Sequence, residues 1–381
     1  MKTSENKIAV IEFMGMISEK FGAIERYNIE LSAQLNFKGI KTVFVYNQFP
    51  QNETYIKSLQ ENNADILELP INKSFFHKII SVNKILKKYN PDIIHCHFCF
   101  PLIRIIIFLS WLKQIHKRFV SIRSMHGEKA GFISKIWWLG LAKLSTKFLA
   151  VSNPVREKLI DNFNIPESKI DVLKTGINFQ NFENLETKEE LKKKYGLPTN
   201  KKIIGCVAFH QPIKGVDVLL DALAILKNKY NRNDIILAQI GYYQGKYADK
   251  IKEQTISLNI HDIVFWLGLQ NNVPELMKTF DVYCQPSRSE GLPQAVVEAL
   301  ASKLAVVATN VGGIPEIIKN NSTGFLVESE DAEKMAECIN TLLNDAVLSE
   351  QFGTNGFNLV FSRLNSKVQV TKLIENYYGI H

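Results

Sequence analysis

"DVYCQPSRSEGLPQAVVEALASKLAVVAT", residues 281–309, reads as strand, loop, helix, strand. "DVYCQP" is a short apolar run of the kind found in a strand covered on both faces. "SRSEGLP" is rich in turn formers and falls at that strand's carboxyl end. Pro293 suits the first turn of a helix, because its missing N–H costs nothing there. The helix is expected from about Pro293 to Ser302, and Ala305–Thr309 is strand-like again. A strand joined to the next strand through a helix builds a parallel sheet.

The same alternation runs outward in both directions. Upstream, strands are expected at Ile8–Phe13, Val43–Asn47, Asp65–Leu69, Asp92–Cys96, Phe119–Ser124 and Lys147–Val151. Helical patterns lie between them at Ile24–Phe37, Phe75–Tyr89 and Val155–Phe163. The polar, charged stretch 178–202 reads as a crossing between domains. The pattern then restarts, with strands at Ile203–Val207, Ile235–Ile240, Asp262–Trp266, Val282–Gln285, Ala305–Thr309 and Gly324–Val327. Two blocks of βαβ units mean two doubly wound α/β domains, and such sheets bind ligands beyond the carboxyl ends of their strands. The expected division is 1–180 and 181–365, with a last helix in 366–381 that packs back on the first domain.

The chain has 381 residues, 46% of them hydrophobic and 22% charged, as in ordinary globular proteins. Its start runs straight into a strand pattern, without the features of a signal peptide. The longest apolar run, 98–112, is interrupted by Arg104 and is short for a bilayer span; a buried helix is expected there. Five cysteines, an odd number, point to a reduced, cytoplasmic protein. "HCHFC", 95–99, offers two His and two Cys, but no second cluster completes a four-ligand site, so structural thiols are expected rather than zinc. The net charge of +8 is uneven: residues 1–180 hold 25 Lys/Arg against 15 Asp/Glu. Such a half suits nucleic acid, an anionic membrane or a phosphorylated substrate, or is merely a lysine-rich surface.

Within the quoted stretch, Gln294, Glu298 and Ser302 recur at every fourth residue and form one polar stripe on an otherwise apolar helix. A carboxylate held among Ala, Val and Leu is costly unless hydrogen-bonded. A ribose diol offers two O–H donors to it; a backbone N–H or an Arg of the same fold would also serve. Glu290 stands at the strand end, beside Gly291, where backbone can approach a ligand closely.

Residues 265–327 resemble the retaining glycosyltransferases of family four, which have the GT-B fold: two Rossmann-like domains facing a cleft. The matching residues are "FWLG" (265–268), "VPEL" (273–276), "DVYCQPSRSEGLPQAVVEALASKLAVVATNVGGIPEII" (281–318) and "TGFLV" (323–327), with Glu290 and Glu298 as the family's E-x7-E pair. "VAFHQPIKGVDVLLDAL" (207–223), "AVSNPVREKLI" (150–160), "VLKTGINFQNF" (172–182), "FGAIERYNIELSAQL" (21–35), "PDIIHCHF" (91–98) and "HG" (126–127) extend the resemblance over nearly the whole chain.

The resemblance implies a nucleotide-sugar donor, with UDP the expected nucleotide and GDP the alternative. Glu298 would hold the ribose, and Glu290 the donor sugar at the reacting centre. Lys214 would neutralise the diphosphate as the glycosidic bond breaks, an electrostatic role. His126 matches the family's active-site histidine. Gly22 and Ala23 match the first-domain glycine loop, although the family usually has Gly where Ala23 stands. Gly241, Gly291 and Leu292 fall among the donor-binding loops. The family's Arg before the lysine is missing: positions 208 and 209 are Ala and Phe. His210, Gln211 or Arg288 would have to replace it, or the phosphate grip is weaker. No Asp-x-Asp pair occurs, in keeping with a family that works without a metal, so no cofactor is expected.

The implied activity is hexosyl or N-acetylhexosaminyl transfer, with retention, to a glycan or polyprenyl-diphosphate-linked acceptor in bacterial surface polysaccharide, lipopolysaccharide or capsule synthesis. The competing class is a non-catalytic relative that binds glycan or a partner protein; the missing Arg favours it, and the intact Glu290, Glu298, Lys214 and His126 oppose it. An epimerase is opposed by the E-x7-E run, an oxidoreductase by the lack of G-x-G-x-x-G after the first strand. Nucleic acid rests on charge alone. Lys/Arg mixed with aromatic residues in 81–89, 111–119 and 127–148 suits a protein resting on the inner face of the plasma membrane, an anionic surface, through its first domain; the alternative puts Trp137 and Trp138 in the core.

Overall fold

A computed structural model describes residues 9–18, 21–70, 72–98, 102–123, 131–242 and 244–381. The chain forms two compact units: Met1–Gly176 with Ser366–His381, and Ile177–Asn365. The crossing thus falls at 176/177, four residues before the boundary expected from composition, because Ile177 already pairs with the end of the second unit, donating its N–H to the Leu364 carbonyl at 2.9 Å.

The first unit contains β1 (Ala9–Phe13), α1 (Ala23–Phe37), β2 (Lys41–Tyr46), α2 (Glu53–Glu61), β3 (Asp65–Glu68), α3 (Phe75–Tyr89), β4 (Ile93–His97), α4 (Ile103–Leu112), β5 (Lys117–Ile122), α5 (Phe132–Leu144), β6 (Lys147–Ala150), α6 (Asn153–Phe163) and β7 (Ile170–Val172). Its sheet is wholly parallel, in the order β3-β2-β1-β4-β5-β6-β7. The short β7 was not expected from the sequence; three residues are too few to show a period. Right-handed crossovers put α1 and α2 on one face and α3 to α6 on the other. The run at 98–112 does contain a helix, α4, but not a buried one: Phe108, Trp111 and Leu112 are exposed.

The second unit continues with α7 (Lys188–Lys194), β8 (Lys202–Val207), α8 (Val216–Asn228), β9 (Ile235–Ile240), α9 (Lys246–Ser257), β10 (Val264–Trp266), α10 (Val273–Thr279), β11 (Val282–Gln285), α11 (Gln294–Ala301), β12 (Ala305–Thr309), β13 (Gly324–Val327), α12 (Ala332–Asn344) and α13 (Ala346–Arg363). Its six strands are also parallel, ordered β10-β9-β8-β11-β12-β13. The charged segment read as a crossing holds α7, started by Thr187, whose Oγ accepts from the Glu190 N–H at 3.3 Å while the Glu190 carboxylate accepts from the Thr187 N–H at 2.9 Å.

The chain then returns to the first unit as α14 (Ser366–Lys372), followed by one wide turn, Leu373–Tyr377. There Val370, Leu373, Ile374 and Tyr378 pack with Leu31 and Leu35 of α1 over Val10, Ile93, Phe119 and Leu149 of the sheet. In each sheet the strand order reverses once, between β1 and β4 and between β8 and β11. The loops leaving those strands diverge and leave a crevice at the carboxyl edge, where doubly wound sheets bind ligands.

Candidate active site

Lys214 follows β8 and Glu290 follows β11, so both belong to the reversal point of the second sheet. The Lys214 ammonium donates to Glu290 Oε1 at 2.8 Å. Glycine geometry makes this meeting possible. Gly215 has φ +63°, and a Cβ there would lie 2.0 Å from the Pro286 carbonyl oxygen, so the two loops touch backbone to backbone. Gly312 repeats the device from β12: φ is +54°, and a Cβ would lie 1.8 Å from the Glu290 carbonyl oxygen.

Glu290 is fixed by residues that pattern reading missed. Ser287 Oγ donates to Glu290 Oε1 at 2.7 Å, and Gln285 Nε2 approaches the same oxygen at 3.3 Å. Thr309 Oγ1 in turn donates to the Ser287 carbonyl at 2.5 Å. The signal for them was present in the sequence: Gln285 and Ser287 are polar residues two apart at the end of an apolar strand. Gly291 and Leu292 are buried in the turn that leads from Glu290 into α11. Pro293 caps that helix instead of occupying its first turn.

On α11, Gln294 and Ser302 are half-buried and Glu298 is 8% exposed, while Val296, Val297, Ala299 and Leu300 are sealed. The polar stripe thus follows the expected fourfold spacing. Burial first, then the field of Cys206 and those of Glu290 and Glu298, holds the Tyr283 hydroxyl well above its usual pKa. Both carboxylates therefore lie within electrostatic reach of one buried ring. Gly241 sits at the end of β9, its N–H donating to the Gly268 carbonyl at 2.9 Å and its backbone against the Ala208 carbonyl.

The replacements considered for the missing Arg fare unequally. Arg288 does not join Lys214 and Glu290. Its guanidinium forms a two-pronged pair with Asp217 at 2.9 and 3.0 Å and reaches Glu330 at 2.8 Å. These bonds hold its pKa above the usual value. His210 is buried beside Gln239, Nε2 to Oε1 at 2.8 Å, and its ring meets Trp266 edge to face at 5.0 Å between centroids. Burial lowers its pKa, which favours a neutral ring that supplies hydrogen bonds but no charge. Gln211 is exposed.

In the first unit, Gly22 caps α1 and Ala23 begins it. The Glu25 carboxylate accepts from the Gly22 N–H at 3.0 Å and from Ser18 Oγ at 2.8 Å, which fixes the loop against the helix start. His126 and Gly127 lie outside the described residues. Cys96, Cys206, Cys284 and Cys338 are buried thiols outside any disulfide, and Cys99 is also outside the described residues.

"HCH" acquires an unforeseen partner. Glu12 of β1 pairs in register with His95 of β4. The ligand atoms of Glu12, His95 and His97 lie within 4.8 Å of one another, close enough to hold a metal ion. They are also joined by hydrogen bonds: His97 Nε2 to Glu12 at 2.7 Å, His95 Nδ1 to the Tyr378 hydroxyl at 2.6 Å, and Tyr378 to Glu12 at 2.5 Å. Burial raises the Glu12 pKa and lowers those of both histidines. The groups thus form a closed network that ties the C-terminal segment to the sheet.

Comparison with known proteins gives consistent results over both units. Residues 24–181 match the family described as Glycosyltransferase Family 4, and residues 187–359 match Glycosyl transferases group 1. The chain is 26% identical, over 74% of its length and 76% of the relative's, to UDP-Gal:alpha-D-GlcNAc-diphosphoundecaprenol alpha-1,3-galactosyltransferase of Escherichia coli. It is 25% identical, over 92% of both, to N-acetyl-alpha-D-glucosaminyl L-malate synthase of Bacillus anthracis. A crystal structure of a glycosyltransferase from Rickettsia africae superposes over 98% of this chain and 99% of that one, with a TM-score of 0.82 and 26% identity. With family matches across both halves and two parallel sheets of the Rossmann type, the chain belongs to the family-four, group 1 glycosyltransferases of the GT-B fold.

Proposed function

We propose that this glycosyltransferase moves a hexosyl or N-acetylhexosaminyl group, with retention, from a UDP-sugar to a glycan or lipid-diphosphate-linked acceptor in bacterial surface polysaccharide synthesis. The observation that carries the proposal is the Lys214–Glu290 pair at the reversal point of the second sheet. Lys214 is a cation at a place where a diphosphate leaving group gains charge. Glu290, held by Ser287 and Gln285, is a fixed acceptor for sugar hydroxyls. Glu298 serves the ribose diol, and His126 takes the family's place beside the reacting centre. The acceptor oxygen bonds to the anomeric carbon as the bond from that carbon to the β-phosphate oxygen breaks, and the hydroxyl proton passes to the departing phosphate. Lysine charge replaces a metal ion in this scheme. The Escherichia coli relative supports UDP and a polyprenyl-diphosphate acceptor; the Bacillus anthracis relative supports N-acetylglucosaminyl transfer to a small soluble acceptor.

The membrane reading has its own support. Among the described residues no helix is long and apolar enough to cross a membrane. Yet α3, α4 and α5 pack side by side and leave large apolar side chains exposed, among them Phe76 at 76%, Phe132 at 79% and Trp137 at 52%. Arg104 stacks on Trp137 at 4.6 Å, and Lys78, Lys113 and Lys135 stand on or beside the same helices. Trp138, by contrast, is core, 8% exposed. Rings interleaved with cations suit the interface of an anionic bilayer.

A panel of nucleotide-sugars, scored for slow donor hydrolysis, tests the activity. Hydrolysis of one UDP-sugar, lost in Lys214→Ala, is expected; inert behaviour toward the whole panel with no nucleotide binding favours the non-catalytic relative. Liposome co-sedimentation tests the surface: binding is expected to need anionic lipid and to weaken with salt, and equal failure on anionic and neutral vesicles removes the membrane role.

A further inference from the structure

Arg123 follows β5 directly, at the carboxyl edge of the first sheet and one strand from its reversal point. Its side chain is held on several sides but has no counter-ion among the described residues. Nη1 donates to Thr175 Oγ1 at 2.7 Å, at the exit of β7. The guanidinium carbon lies 5.8 Å from the centre of the Tyr27 ring and 5.6 Å from that of Phe98. Nε is shut off from solvent and has no hydrogen-bond partner. No carboxylate of the described residues comes within ion-pair distance of it. Glu12 and Glu25 are near enough to act on it electrostatically, but each is engaged elsewhere, Glu12 by His97 and Tyr378, Glu25 by Ser18 and Gly22.

A half-buried cation in this state is costly. Desolvation is the main influence on Arg123 and works against its charge. Purely structural arginines in such places are usually paired by a carboxylate. Phe98, which supplies one of the two rings, is a non-glycine residue with φ +43°, and strained backbone of this kind gathers at ligand sites. Glu12 on β1 and His95 and His97 on β4, the strand that leads into Phe98, are locked into their own network, so this edge of the sheet is built on rigid elements.

From this arrangement we propose that Arg123, framed by Tyr27, Phe98 and Thr175, is an anion subsite of the first unit that takes the phosphate or diphosphate group of the acceptor. A guanidinium with spare donors fits a phosphate better than a neutral sugar hydroxyl, because its fork bonds two oxygens at once. The inference rests on the proposed function only in calling this anion part of the acceptor.

The test measures binding of farnesyl diphosphate, farnesyl monophosphate, farnesol and inorganic diphosphate to the full chain. UDP is held at saturation, so that the second unit's site is filled. Wild-type protein is expected to bind farnesyl diphosphate at least about tenfold more tightly than farnesol, as charge-assisted pairs do. Arg123→Gln should lose that advantage, Arg123→Lys should keep part of it, and UDP affinity should stay at the wild-type value in both. Because the substitution removes a desolvated charge that has no carboxylate partner among the described residues, the melting temperature of Arg123→Gln should not fall. Inorganic diphosphate binding as well as the prenyl compound would identify the subsite with the anion alone, and weaker binding of it would bring in the lipid; both agree with the assignment. Unchanged diphosphate affinity in folded Arg123→Gln overturns it. So does a large fall in melting temperature in both variants, which makes the cation structural, or a fall in UDP affinity, which gives the anion to the donor. Failure of donor hydrolysis, by contrast, leaves this binding measurement unaffected.

Discussion

At the scale of single residues, Lys214 carries the strongest expectation. Its bond to Glu290 joins a half-buried ammonium to a buried carboxylate that Ser287 and Gln285 also hold, so the carboxylate keeps hydrogen-bond donors when the lysine is removed. Its effect on a departing diphosphate is exerted in the transition state, where one well-placed donor is worth about 3–4 kcal/mol. Lys214→Ala should therefore cut turnover by about 100-fold or more while thermal unfolding stays close to wild type; comparing kcat with the melting curve checks this. Glu298→Ala should weaken UDP binding by about 1.5–3 kcal/mol, the range for hydrogen bonds to a charged group. Calorimetry with UDP decides it, and full affinity in a folded variant returns Glu298 to a structural role. The contrast between these residues and Arg288 shows what sequence could and could not supply. Glu290, Glu298 and Lys214 stand in local motifs whose strand–loop–helix context fixes their direction. Arg288 stands in the same loop, yet its long side chain is claimed by Asp217 and Glu330, 71 and 42 residues away, and such pairings leave no local trace.

At the scale of elements, loops are held by backbone approach at Gly215 and Gly312. Gly215→Ala adds a Cβ 2.0 Å from a carbonyl oxygen that cannot yield, in a backbone region that costs a non-glycine residue about 1 kcal/mol or more. Both stability and turnover should fall, because Lys214 moves with its loop; denaturant titration and kinetics on one preparation would reveal whether they fall together. On β4, His95 and His97 predict a pH response. Burial holds both pKa values well below 6.5, so the unfolded chain takes up protons as pH falls through 6.5 while the folded chain does not. Their contribution is present above 6.5 and lost progressively below it. Glu12 acts in the opposite sense: burial raises its pKa above 4.5, so its contribution is present below 4.5 and lost as pH rises. Urea unfolding of His97→Gln should show a shallower dependence of stability on pH just below 6.5 than wild type; an identical slope would contradict this. Most strands, and the helices α1, α3, α6 and α11, were legible because apolar runs and fourfold spacing are local, whereas α2 and α5 were not named from the sequence. The three-residue β7, the partner Glu12 and the exposed side of α4 were not, since each depends on what packs across the sheet.

At the scale of the whole molecule, the metal-free reading makes a simple demand: turnover in excess EDTA should equal turnover without it. Loss of activity that magnesium or manganese restores would show that lysine charge alone does not suffice. The two-block organisation was visible from the repeated βαβ pattern, and the position of the crossing was nearly so. The return of α14 to the first unit has a consequence for how the protein is made. A ribosome delivers residues 9–172 early, but the sheet face formed by Val10, Ile93, Phe119 and Leu149, covered in part by Leu31 and Leu35, waits for Val370, Leu373 and Ile374, which emerge only after the second unit. The unit that begins first is thus the last to be completed, and for most of translation it holds an uncovered oily surface that the second unit, complete by Asn365, does not share. Residues 1–176 produced alone should be recovered largely as aggregate, and a synthetic peptide of residues 366–381 supplied during refolding should raise the soluble yield. Nascent chains of this protein are therefore expected to need chaperone shelter until residues 366–378 have emerged.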